Sequence, residues 1–298
     1  MARTVEKLAG TISGGLTNGW NSAVPIHPQG SRPPFFAIHG DGNAPFYREL
    51  AQLLGRDQPF YAVESEGWDG RRLVRTSVEA MADYYLRQIR EIQPRRPYLL
   101  GGYSFGGLVA YEMARRLCLT GAEVALLVFF DTCNPARSRP TFQVDFQNAL
   151  RNPVALLNPN VVFRFLARQT RGKAAASVLR SHEALHRRLK WRFLGWRMLG
   201  RHRASVGPVV AHIETVHELA ALAYRPLPYA GRVVLFRSTG QAATDGWQAD
   251  GGWGHMIRGG LDVHVVPGTH LELLSMENVP LIAERLRTCI QTALPSQE

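Results

Sequence analysis

Short apolar runs alternate with longer amphipathic stretches along most of this chain of 298 residues. A short apolar run predicts a buried strand, and apolar positions with helical spacing predict one face of a helix. The predicted strands are 34–39, 59–64, 97–100, 123–131, 231–237 and 262–266, and the predicted helices are 44–54, 77–92, 108–119, 209–224 and 277–292. This alternation is typical of an α/β fold, in which a mostly parallel sheet carries helices on both faces.

The alternation stops at about residues 135–206, which have helical character, no strand signal and a strong positive charge. Between Val161 and Arg203 there are twelve Lys and Arg residues and a single acid, Glu183. The formal net charge is +11, and outside this segment the chain has 23 basic and 23 acidic residues. The excess charge therefore belongs to one basic helical insertion, which argues against a protein-wide nucleic-acid surface.

Composition favours one globular domain in a reducing compartment. The longest wholly apolar run, Val124 to Phe130, is far shorter than the roughly 18 residues of a membrane span. The N-terminus lacks the apolar core of a secretory signal, and the three cysteines have no metal-ligand spacing, so we expect a cytoplasmic protein without a bound metal. Residues 14–32 are rich in Gly, Asn, Ser and Pro. We therefore interpret 1–30 as an N-terminal segment and linker, and 31–298 as the domain.

The sequence Gly102-Tyr103-Ser104-Phe105-Gly106 lies between a predicted strand and a predicted helix. Strand, Gly-x-Ser-x-Gly and helix together form a nucleophile elbow, a sharp turn that projects the serine hydroxyl away from the backbone. Glycines flank the serine because a Cβ there would collide with a neighbouring strand or helix. Ser104 is therefore the candidate nucleophile. The N-terminus of the following helix is expected to stabilise an oxyanion.

A serine nucleophile needs a base and an orienting carboxylate, which follow in the chain order Ser, acid, His. His270 comes directly after the last predicted strand, whereas His264 lies inside that strand and His217 is expected to face out of a helix. We choose His270 as the base.

Two acids compete for the role of the orienting carboxylate: Asp131 ends a predicted strand, and Asp245 lies in the loop after the next one. We prefer Asp131, because a carboxylate at a strand end is better fixed.

The oxyanion hole of such a site takes the backbone N–H of the residue after the nucleophile, here Phe105. A second donor comes from the loop after the first core strand, His39 to Asn43. We assign it to the backbone N–H of Asp41.

Several segments taken together resemble the thioesterase domains that close nonribosomal peptide and polyketide assembly lines. They are Phe35-Phe36-Ala37-Ile38-His39-Gly40, Gly101 to Gly107, Phe130-Asp131-Thr132, Val266-Pro267-Gly268-Thr269-His270 and Ala223 to Phe236, with its Tyr-x-Pro-x-Pro-Tyr sequence. The resemblance implies an α/β-hydrolase fold and places the acid at Asp131. It also implies a helical lid at the position of the basic insertion.

The same resemblance implies a serine thioesterase without a cofactor of its own. Its substrate is an acyl or peptidyl chain held on the 4'-phosphopantetheine thiol of a carrier protein, and release occurs by hydrolysis or cyclisation. Thr4 to Ala9 resembles the last helix of a carrier domain, which implies that the segment and linker 1–30 are a carrier remnant; an arbitrary amphipathic start is the alternative. Two alternatives stay open: a stand-alone editing thioesterase or small-acyl esterase, and a non-catalytic module that docks on a carrier or a membrane.

The basic insertion predicts an amphipathic helix. One face carries Leu185, Leu189, Phe193, Trp196 and Leu199, and another carries Arg187, Lys190, Arg197 and Arg201. We expect the apolar face to cover the active-site groove and the charged face to be solvated. A second interpretation has the cationic face receive an acidic carrier protein or the pantetheine phosphate. Membrane contact is less favoured, and nucleic acid is favoured least.

Overall fold

A seven-stranded sheet organises the residues that this computed structural model describes, which are 21–39, 44–66, 75–95, 97–136, 213–240 (without 215, 219 and 222) and 249–294. The strands are β1 (Ala23–His27), β2 (Phe35–Ile38), β3 (Phe60–Val63), β4 (Tyr98–Tyr103), β5 (Val124–Phe130), β6 (Val233–Ser238) and β7 (Leu261–Val266). Their order across the sheet is β1-β3-β2-β4-β5-β6-β7. β1 runs antiparallel to β3, and all other neighbours are parallel.

Four α-helices connect or flank these strands: α1 (Arg48–Leu54), α2 (Val78–Ile92), α3 (Phe105–Leu119) and α4 (Val279–Ala293). A 3-10 turn at Ala44–Tyr47 precedes α1, and a second one at His270–Glu272 follows β7. Ser77 caps α2, since its side chain accepts a 3.2 Å hydrogen bond from the Ala80 amide. The described residues between 213 and 223 are also helical.

Both faces of the sheet are buried, which explains why its strands are almost continuously apolar. Leu100, Phe129 and Leu235 point to the core under α2 and α3. The alternate side chains Leu99 and Phe130 point to the core under α1 and α4. The predicted α/β architecture is confirmed. The carboxyl ends of β4 to β7 meet at one edge, where open α/β sheets place their ligands.

The N-terminal part of the sheet differs from the sequence interpretation. We expected residues 14–32 to be a linker, and this was wrong for Ala23–His27, which form the edge strand β1. Glycine and proline in this segment argued against a strand. An edge strand, however, tolerates Pro25, because a residue there need not donate a hydrogen bond to a neighbouring strand. The residues before 21 lie outside the described part.

The predicted lid lies almost wholly outside the described residues, which stop at 136 and resume at 213. The predictions for the basic insertion therefore stay predictions.

Candidate active site

Ser104 occupies a strained turn between β4 and α3. Its φ is +53° and its ψ is −118°, a conformation that residues other than glycine rarely adopt. Its amide donates a 2.9 Å hydrogen bond to the Phe130 carbonyl, and its carbonyl accepts one of 2.9 Å from the Thr132 hydroxyl. The end of β5 and the residues after it thus hold the turn on both sides.

Close packing explains two glycines at the elbow, Gly102 and Gly107. A Cβ on Gly102 would lie 2.3 Å from the carbonyl carbon of Gly106, so the predicted steric need for glycine before the serine is confirmed. A Cβ on Gly107 would lie 1.9 Å from the Thr132 hydroxyl oxygen. The first turn of α3 therefore packs directly against the segment that follows Asp131.

Asp131 follows β5 immediately and is buried, with 1% of its surface exposed. Its amide donates to the Phe236 carbonyl on β6 at 2.8 Å. Its carboxylate accepts two hydrogen bonds from Ser238: one of 2.5 Å from the hydroxyl to Oδ2 and one of 3.1 Å from the amide to Oδ1. These donors compensate the carboxylate for its lost hydration.

His270 begins the 3-10 turn after β7 and contacts the same carboxylate. Its Nδ1 lies 3.0 Å from Oδ2 of Asp131, although 139 residues separate the two along the chain. Because an ionised carboxylate only accepts hydrogen bonds, the tautomer that completes this contact carries its proton on Nδ1 and its lone pair on Nε2. The structure thus brings together the predicted histidine and the preferred acid.

A capping box fixes the turn that carries His270. The amide and hydroxyl of Thr269 both donate to the Glu272 carboxylate, at 2.8 and 3.0 Å. These bonds lower the pKa of Glu272 below its ordinary value, the amide having the largest effect. The turn therefore begins at a defined position, which sets the direction of the imidazole.

Tyr103 connects the elbow to His270. Its ring stacks on the imidazole with 4.8 Å between the ring centroids and 20° between the planes. Its hydroxyl donates a 2.7 Å hydrogen bond to the His270 carbonyl. Since Tyr103 directly precedes Ser104, the imidazole lies beside the elbow. Sequence reasoning missed this tyrosine, since x in Gly-x-Ser-x-Gly carries no signal of its own.

Phe105 is the first residue of α3, where backbone N–H groups have no partner within the helix. His39, at the carboxyl end of β2, packs its ring against Phe46 with 4.5 Å between the centroids. Asp41 lies in the undescribed range 40–43, and Asp245 lies in the undescribed range 241–248. The assignments of the second oxyanion donor and of the alternative acid therefore stay predictions.

His217 corrects one expectation. We expected it to face out of its helix, but it is 2% exposed and its ring stacks on Phe105 with 4.3 Å between the centroids and 12° between the planes. The helical pattern alone could not show this, because the surface that covers His217 belongs to α3, far away in sequence. The helix before β6 thus contacts the residue next to Ser104.

The described residues contain neither an arrangement for a metal ion nor a helix for a membrane span. No group of three or more His, Cys, Asp or Glu side chains there is placed to hold a metal ion. No helix within the same ranges combines the length and the apolarity needed to cross a membrane.

The mostly parallel sheet, the nucleophile elbow and the acid–histidine contact at its carboxyl edge define an α/β-hydrolase. The family model described as "Thioesterase domain" matches residues 34–290, and the chain belongs to this family.

The curated relatives are large synthetases. The chain is 29% identical over 296 residues to malpibaldin synthetase of Mortierella alpina, a match that covers 97% of this chain and 5% of the synthetase. It is 36% identical over 132 residues to a dimodular nonribosomal peptide synthase of Bacillus subtilis strain 168, covering 44% of this chain and 6% of that protein. The chain therefore spans only a small part of the relatives that it matches.

Solved structures show the same fold. A covalent complex of the NocB thioesterase domain with a fluorophosphonate nocardicin G analog matches with a TM-score of 0.60 and 24% identity, covering 90% of this chain and 99% of that one. The type II thioesterase BorB from the borrelidin biosynthetic cluster has a TM-score of 0.60 and 17% identity, covering 92% and 99%. At these identities the similarity establishes the fold alone.

Proposed function

We propose that this thioesterase domain releases an acyl or peptidyl chain from the phosphopantetheine thioester of a carrier protein, through an acyl intermediate on Ser104. The observation that carries the proposal is the 3.0 Å contact between His270 and Asp131 beside the elbow. A buried carboxylate that orients a histidine next to a strained serine is the arrangement that activates an alcohol for acyl transfer.

In the first half-reaction, Nε2 of His270 takes the proton of Ser104 as its oxygen attacks the thioester carbonyl. Asp131 stabilises the imidazolium that forms. The Phe105 amide, with the Asp41 amide as the expected second donor, holds the negative oxygen of the tetrahedral intermediate. The carbon–sulfur bond then breaks, and the pantetheine sulfur takes the proton from His270 and leaves as a thiol.

In the second half-reaction, His270 removes a proton from water or from a nucleophile within the bound chain. That nucleophile attacks the acyl-Ser104 ester, and Ser104 leaves with the proton returned by His270. Water gives a free acid, whereas an internal nucleophile gives a ring. General-base catalysis of this kind contributes on the order of 10² to 10⁴ in rate.

The carrier-bound substrate is supported by the relatives, which are a synthetase and a nonribosomal peptide synthase. In a synthetase the acyl chain is attached to a carrier, so the carrier is the partner that we propose. The basic insertion, with twelve Lys and Arg and one acid between 161 and 203, provides charge complementary to an acidic carrier or to the pantetheine phosphate. Such attraction would raise the association rate in a salt-dependent way.

The test incubates the protein with a panel of acyl-pantetheine thioesters and measures the mass of the peptide that contains Ser104. Acylation at Ser104 and its absence in Ser104→Ala are the expected results. Faster turnover of short simple esters than of long acyl-pantetheine thioesters would instead indicate an esterase. Failure of a fluorophosphonate to label Ser104 would indicate a docking module without an activated nucleophile.

A further inference from the structure

Arg237, the residue before Ser238 on β6, is a buried cation. Its side chain is 1% exposed, although a guanidinium stays charged under all conditions in a protein. Its Nη1 donates a 3.3 Å hydrogen bond to Sγ of Cys133, while Nε and Nη2 have no hydrogen-bond partner among the described residues. A buried charge in this state destabilises the folded protein unless an anion compensates it.

The carboxylates near Arg237 do not supply that anion. In the described part of the chain, no Asp or Glu lies within ion-pair distance of it. Asp131 accepts hydrogen bonds from Ser238 and His270. Asp250, on the segment that packs from the other side, accepts from the amides of Gly252 and Gly254.

Among the described residues, Cys133 is the hydrogen-bond partner of Arg237 that can become an anion. It follows Asp131 by two residues, is partly exposed, and forms no disulfide. A thiol that loses its proton becomes a thiolate, and a neighbouring arginine favours that form. Because the guanidinium cannot give up its charge, ionisation of Cys133 is the change among the described partners of Arg237 that neutralises the pair.

We propose that Cys133 is a thiolate paired with Arg237, and that this pair is a modification site for small thiol-reactive electrophiles, among them low-molecular-weight disulfides. The thiolate attacks one sulfur of the disulfide, a new sulfur–sulfur bond forms to Cys133, and the other half leaves as a thiolate. One disulfide is consumed and one is formed, so no further oxidant is needed.

The other two cysteines of the chain provide internal controls. Burial raises the pKa of Cys118 and also the pKa of Cys289 above the ordinary thiol value. Neither is therefore expected to react readily at neutral pH. The proposal thus predicts a ranking of three thiols within one protein.

The experiment measures iodoacetamide alkylation of each cysteine by peptide mass spectrometry across a pH series. We expect Cys133 to react at least about tenfold faster than Cys118 and Cys289 at pH 7, with a midpoint at or below about 7 rather than near 8.5. Reaction of Cys133 at the rate of the other two, with the same midpoint, would overturn the proposal.

Arg237→Gln tests the partner and Arg232→Gln is the matched control, since Arg232 pairs with Asp262 at the opposite end of β6. We expect only Arg237→Gln to slow the alkylation of Cys133. An unchanged rate in folded Arg237→Gln contradicts the pairing. If Arg237→Gln does not fold, Arg237→Lys replaces it, because lysine keeps a cation at this position. This variant should preserve the wild-type ranking of cysteine reactivity. A folded Arg237→Lys in which Cys133 no longer reacts fastest would contradict a charge-based pairing.

The site does not depend on the proposed hydrolase mechanism. Ser104→Ala should show the same alkylation ranking as wild type. The ranking therefore tests the thiol proposal alone, and acylation of Ser104 tests the serine mechanism alone. Cys133→Ser should keep turnover and abolish the fast alkylation, and a fast-reacting thiol that persists in this variant would contradict the assignment to Cys133.

Discussion

The hydroxyl of Ser238 donates a 2.5 Å hydrogen bond to the same Asp131 oxygen that accepts the Nδ1–H of His270. One oxygen atom therefore holds both the imidazole and the end of β6. The second carboxylate oxygen accepts from the Ser238 amide, which a side-chain substitution leaves in place. Ser238 is consequently a positioning residue for the acid.

Ser238→Ala should lower kcat about tenfold with little change in KM. The reason is that a hydrogen bond to a charged group is worth about 1.5–3 kcal/mol, and the remaining Ser238 amide bond retains part of the orientation. Steady-state kinetics with an acyl-pantetheine thioester measure this. Ser275→Ala, in the loop before α4, is the control and should leave kcat unchanged. A wild-type kcat in Ser238→Ala would show that the hydroxyl does not orient the acid.

Asp131→Asn should reduce kcat by about 10³ to 10⁴ while the protein stays folded, since the amide cannot stabilise the imidazolium. Asparagine is the right replacement because the φ of Asp131 is +55°, a conformation that Asn tolerates and that costs most other residues about 1–2 kcal/mol. Asp131→Ala should therefore also lower the melting temperature. Asp245→Asn is the control and should leave kcat unchanged. A comparable loss of turnover in Asp245→Asn, with full turnover in Asp131→Asn, would show that Asp245 orients His270.

His217→Ala should lower both kcat and the melting temperature. The variant removes the ring that stacks on Phe105 with 4.3 Å between the centroids, and so leaves a cavity beside Phe105. His217→Phe should recover much of both, since it restores a flat ring of similar size. Kinetics and thermal unfolding measured on the same samples test this pair of variants. Full activity in His217→Ala would show that the stack does not support the elbow.

Glu112 should make stability depend on pH. Burial by itself raises its pKa, but hydrogen bonds from Arg115, Arg116 and Tyr224 outweigh burial, and the pKa of Glu112 lies below its ordinary value. The folded state therefore favours the carboxylate. The resulting stability is fully present above the unfolded-state pKa of about 4.5 and is lost as pH falls through the lower folded-state pKa.

The variant that tests this is Glu112→Gln. At neutral pH it should lower the free energy of unfolding by about 2 kcal/mol, and the difference from wild type should shrink below about pH 4.5. Urea unfolding at several pH values measures it. Glu284→Gln, on α4 at the opposite face of the sheet, provides the control. A difference that stays constant with pH would mean that the ion pairs do not carry the effect.

The elbow, Asp131 and His270 were predictable because each has a local signal. Ser104 stands in a motif with a steric reason for its glycines. Asp131 directly follows an apolar strand, His270 lies in the loop after the last strand, and parallel strands bring their carboxyl ends to one edge. The motif and the chain order predicted the roles of these residues, and the family resemblance added the thioester substrate. The parallel sheet explains why the side chains of Asp131 and His270 meet.

Ser238, Tyr103 and His217 were not predictable, because their roles depend on register and packing. Ser238 reaches Asp131 because Phe130 pairs with Phe236 across β5 and β6. A shift of one residue would turn its side chain to the other face of the sheet. β1 was missed for a different reason: an edge strand buries little surface, so its composition resembles that of a linker.

Ser104 and Asp131 are the non-glycine residues with positive φ in the described part of the chain. Each such backbone conformation costs on the order of 1–3 kcal/mol, which the surrounding packing must offset. At these two positions, therefore, selection for heat resistance favours glycine, whereas selection for turnover favours serine and aspartate. A laboratory screen for thermal tolerance alone should enrich glycine at position 104 and yield robust but inert proteins.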